Sequence, residues 1–78
     1  MAKKKEKQVI AVKSPKVGEQ YAFYFAGGKM HGTLVSKNEK LTNHYSEPWF
    51  TFEVEKGSYG HERTMKYPVS IYDITGKV

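Results

Sequence analysis

No cysteine occurs in this chain of 78 residues. That excludes disulfides, zinc knuckles and thiol catalysis together, and it suits a reducing cytoplasm. Long apolar runs are also missing, so no transmembrane helix and no membrane partner is expected. The start, Met1-Ala2-Lys3-Lys4-Lys5, is charged, and the apolar stretch of a secretory signal does not follow it. No segment carries a clear amphipathic helical period, and no internal repeat is visible.

Catalytic and metal-binding patterns are equally scarce. His31, His44 and His61 do not pair at ligand spacing, so neither a metal nor a cofactor is expected. Ser14, Ser36, Ser46, Ser58 and Ser70 lack a nucleophile-elbow context. Gly27-Gly28 lacks the Lys-Ser/Thr continuation of a phosphate loop and leads into a strand rather than a helix. The paired Glu53 and Glu55 are most simply a solvated strand face. The expectation is a protein without enzymatic activity.

What is present is aromatic and alternating. Aromatic residues make up 14% of the chain and apolar residues 38%, enough for one small core and too few residues for two. Residues 19–25 alternate, with Tyr21, Phe23 and Phe25 on one face and Gln20, Ala22 and Tyr24 on the other. Alternation with aromatics predicts a strand. A glycine turn over 26–29 leads to a second strand over 29–36, in which Gly32 predicts a bulge or sharp bend. Residues 37–48 are polar, without a period, and read as a long loop. A third strand is expected over 49–55, with Phe50, Phe52 and Val54 inward. A fourth is expected over 62–67 and a short fifth over 69–74. The run Val9-Ile10-Ala11-Val12 has two readings: an added strand, or packing over an open end of the core.

The fold class is therefore all-β: a small barrel of about five antiparallel strands over 17–78, with a flexible basic tail over 1–16 that includes a possible short strand at 9–12. Val17-Gly18 before the first strand, the Gly27-Gly28 turn, Gly32 followed by Leu34-Val35, and Pro68-Val69-Ser70-Ile71-Tyr72 before the closing strand carry a resemblance. On these residues, about three quarters of the chain resembles the SH3-like small barrels, the broad group that includes KOW and Tudor domains. The resemblance implies architecture more than activity. Neither the acidic-aromatic peptide groove of true SH3 domains nor a Tudor aromatic cage is visible in the sequence. In size and style the chain is also similar to small phage and bacterial proteins.

The net charge of +5 is unevenly placed. Residues 1–16 hold six lysines against one acid, Glu6, which accounts for all of it; residues 17–78 hold seven bases and seven acids. Blocks of like charge serve either as solvated ends or as polyanion-binding arms. The first expected function is a cytoplasmic module that engages nucleic acid, or a nucleic-acid-bound complex. Lys3, Lys4, Lys5, Lys7, Lys13 and Lys16 would contact phosphates, Tyr24, Trp49 and Tyr59 would stack on bases, and Arg63 and Lys66 would assist. The alternative is an adaptor or small regulator that docks on a protein partner through a strand edge or an aromatic patch. Either would be a monomer or a weak homodimer.

Overall fold

A computed structural model describes residues 10–78. Strand β1 runs Gln20–Phe25 and buries Tyr21 and Phe23, as alternation predicts. Ala26 and Gly27, at φ +52° and +82°, form the two-residue turn to β2, Gly28–Lys37. Both central residues in the left-handed region make the turn twist with the strands it joins, and glycine is the residue that adopts this region at no steric cost. Strand β3, Trp49–Val54, buries Phe50, Phe52 and Val54. A short 3-10 turn, Ser58–Gly60, precedes β4, Met65–Ser70; a second, Ile71–Asp73, precedes β5, Ile74–Lys77.

The five strands form one antiparallel sheet in the order β4-β3-β2-β1-β5. Strand β5 returns to the start of the meander and pairs Ile74 with Phe23 and Lys77 with Tyr21. The sheet curls. Strands β1 and β4 are separated by two others, yet Phe25 and Tyr67 bring their rings to 4.6 Å between centroids. The core lies inside the curl, around Phe23 and Phe52, whose rings are 4.8 Å apart, with Leu34, Val54, Val69, Ile71 and Ile74. Tyr21 is buried too, and its polar end is satisfied. Its hydroxyl accepts from the Lys16 N–H at 2.9 Å and donates to Glu19 Oε1 at 2.9 Å.

Four expectations need correction. The polar stretch 37–48 is not all loop: Glu39–Tyr45 form a helix, α1. Its signal is a cap, not a period. Asn38 Oδ1 accepts from the Leu41 N–H at 3.1 Å, and no residue of the helix is fully buried. The bulge in β2 lies between Leu34 and Ser36, not at Gly32. Gly32 is instead a close approach, where a Cβ would stand 2.6 Å from the Glu53 carbonyl oxygen. The fourth strand starts later than expected and runs through Pro68, which an edge strand tolerates because one side of its ladder is open. The fifth strand follows the Ile71–Asp73 turn rather than containing it. Of the run 9–12, Val9 lies outside the described residues. Ile10 and Val12 are in no strand and pack, half-buried, against the core.

Candidate functional site

An apolar groove of about 360 Å³ lies on the described surface. Five parts of the chain build it. The end of β1 and its turn supply Tyr24, Phe25 and Ala26; α1 supplies Leu41 and Tyr45; Trp49, Pro68 and Asp73 complete the lining. Tyr24 faces the groove because it lies on the outer register of β1, opposite to Phe23 and half exposed.

Helix α1 is held against Trp49 by polar contacts. The Trp49 N–H donates to Thr42 Oγ1 at 2.9 Å, and the Asn38 N–H donates to the Trp49 carbonyl at 2.8 Å. The Tyr45 ring then stacks on the Trp49 ring, 5.1 Å between centroids and 26° between planes. Trp49 is half-buried, and its Nε1 is a buried donor without a partner among the described residues. An unmet buried donor carries a desolvation cost of about 1–3 kcal/mol.

The charged member of the lining is Asp73. Partial burial pushes its carboxyl above the usual aspartate range, and the neighbouring Glu47 charge adds to the effect. Glu47 is fixed in turn: it accepts a hydrogen bond at 2.7 Å from the hydroxyl of buried Ser70, which also caps the Ile71–Asp73 turn by accepting from the Tyr72 N–H.

The described residues expected to bind nucleic acid do not all line the groove. Tyr24 and Trp49 share the groove. Tyr59 does not belong to its lining; its hydroxyl accepts from the His31 N–H at 3.0 Å, and its ring meets the His31 ring edge-on at 5.5 Å. This contact fastens the loop after β3 to the β1–β2 hairpin. Nearby, His61 Nε2 and the Tyr67 hydroxyl share a hydrogen bond of 2.6 Å. Arg63 lies exposed in the bend before β4, and Lys66 is exposed opposite Glu53 in the β3–β4 register. Lys13 and Lys16 are exposed; Lys3, Lys4, Lys5 and Lys7 lie outside the described residues.

Sequence reading missed Leu41, Pro68 and Asp73 as partners of Tyr24 and Trp49. Their spacing in the chain gives no common signal, because a helix, a hairpin turn and a 3-10 turn bring them together. Glu53 and Glu55 line a separate polar hollow of about 90 Å³ with Gln20, His31 and Thr33. Among the described residues, no three histidines or carboxylates are grouped to hold a metal ion, and no helix is long and apolar enough to cross a membrane. Comparison with protein-family models, curated proteins and solved structures finds no match to the chain.

Proposed function

We propose that the chain is a cytoplasmic, non-enzymatic docking module that captures a protein partner in its aromatic groove. The observation that carries this reading is the convergence of Tyr24, Tyr45 and Trp49, three aromatics from three different elements, on one apolar concavity. Tyrosine and tryptophan dominate the energetics of protein interfaces, and a groove of this volume accommodates a few partner side chains. The architecture we assign is a small SH3-like barrel. The four-strand meander, the 3-10 turn before a fifth strand that returns to β1, and the Phe25–Tyr67 contact across the curl support it.

Nucleic-acid binding is the weaker reading. A base-stacking surface works beside cations that track the phosphates. Here the stacking rings lie beside Asp73, a carboxylate that would repel a phosphodiester.

Peptide display against the folded protein tests the proposal, with counter-selection on the Tyr24→Ser/Tyr45→Ser variant. Both side chains are about half exposed, so the variant keeps its core. Enriched peptides should bind the unaltered protein at least tenfold more tightly than the variant. The reading fails if no peptide distinguishes the two proteins. It fails also if only oligonucleotides bind, with a salt dependence that replacing Lys3, Lys4, Lys5 and Lys7 by serine removes.

A further inference from the structure

We infer that the groove receives an arginine side chain of the partner, its guanidinium laid against the aromatic rings and forked onto the Asp73 carboxylate. The inference rests on the docking reading above and names the chemistry that the groove selects.

Three observations converge on it. The first is the contrast within the lining: aromatic and aliphatic surface from Tyr24, Tyr45, Trp49, Leu41 and Pro68, with one ionisable carboxylate, Asp73. The ligand group that satisfies both is a cation with an apolar stem. The second is the electrostatic setting of Asp73. It has a second carboxylate, Glu47, as neighbour, and among the described residues it takes part in no ion pair. Burial and like charge both make its ionised form costly, and an incoming cation relieves both. An anion would be repelled by the Asp73 carboxylate. The third is the aromatic content of the walls. Tyr24, Phe25, Tyr45 and Trp49 all line the groove, and Tyr45 stacked on Trp49 makes one continuous aromatic wall.

Aromatic walls and a half-buried carboxylate favour arginine over lysine. A guanidinium is planar, stacks on aromatic rings, sheds water more readily than an ammonium, and presents a fork of donors to a carboxylate. Lysine would bring a strongly hydrated point charge into an apolar cleft.

Small probes test the chemistry without a known partner. Butylguanidinium, butylammonium and butylurea are titrated separately into the full-length protein, and nuclear magnetic resonance follows the ring resonances of Tyr24 and Tyr45 and the indole of Trp49, the single tryptophan of the chain. Butylurea keeps the shape and the apolar stem of butylguanidinium without its charge. Butylguanidinium should shift the groove resonances saturably. Butylurea should bind at least fivefold more weakly, and butylammonium should fall between the two. Asp73→Asn should remove the difference between butylguanidinium and butylurea.

Equal binding of butylguanidinium and butylurea to the unaltered protein overturns the inference and leaves apolar docking intact. Butylguanidinium shifts that map away from the groove, or are absent, overturn it also, while the docking reading stands or falls by the display experiment. The same titration is run on the full chain with Lys3, Lys4, Lys5 and Lys7 changed to serine. If that variant binds butylguanidinium more than fivefold more tightly, the groove is already served by the chain's own lysines, and a partner arginine is overturned as its occupant.

Discussion

A methyl group at position 32 would meet the Glu53 carbonyl oxygen at 2.6 Å and a Val54 methyl at 3.2 Å. Backbone on one side and core on the other leave it no room, so β2 and β3 can approach here only at a glycine. Gly32→Ala should therefore destabilise the fold by about 2–3 kcal/mol, as overpacking does, and urea denaturation will measure it. Asp73 makes the opposite kind of prediction. Its folded carboxyl titrates above its unfolded one, so the folded state holds the proton more tightly. The penalty is absent below the unfolded aspartate range and grows as pH rises through the folded value. Asp73→Asn should then raise the denaturation midpoint at pH 7 and leave it unchanged near pH 3. A carboxylate that costs stability at neutral pH is what a cation-binding groove needs, and equal midpoints for the two proteins across this range would remove that link.

Helix α1, Glu39–Tyr45, is too short to persist on propensity alone. Its cap, Asn38, and the Thr42–Trp49 hydrogen bond hold it, and it in turn holds Tyr45 over Trp49. Asn38→Ala should cost about 1 kcal/mol. It should also loosen the Tyr45–Trp49 stack, which the fluorescence of the single tryptophan reports; an unchanged spectrum would show that the stack does not depend on the cap. The same helix shows why the elements were unequally legible in the sequence. Strands β1 and β3 announce themselves, because Tyr21 and Phe23, and Phe50, Phe52 and Val54, alternate with side chains that turn outward. Helix α1 buries no residue fully, so it imprints no period, and only the Asn38-Glu39 start marks it. Strand β4 is displaced from its expected place because Pro68, a usual breaker, is tolerated on an edge.

At the scale of the whole molecule, the candidate site is legible only in part, because it is a product of the sheet's curl. Tyr24 and Trp49 stand out as aromatics on outward registers, but what joins them to Pro68 and Asp73 is the curl that brings Phe25 against Tyr67. The same distinction between charge and packing applies to residues 10–16. By composition they belong to a lysine-rich leader, yet Ile10 and Val12 pack against the core while the Lys13 and Lys16 side chains stay exposed. Two half-buried aliphatic side chains contribute about 2 kcal/mol together. For a small domain without a disulfide, where the expected total is about a few kcal/mol, that is a large fraction. Ile10→Ser with Val12→Ser should therefore lower the unfolding free energy by about 2 kcal/mol, whereas Lys13→Ser should change it by less than about 0.5 kcal/mol, as exposed substitutions do. If the double variant unfolds at the same urea concentration as the unaltered chain, the leader adds charge and nothing else. If it unfolds earlier, the chain before Val17 is part of the fold, and a truncation meant to remove the basic arm also opens the core.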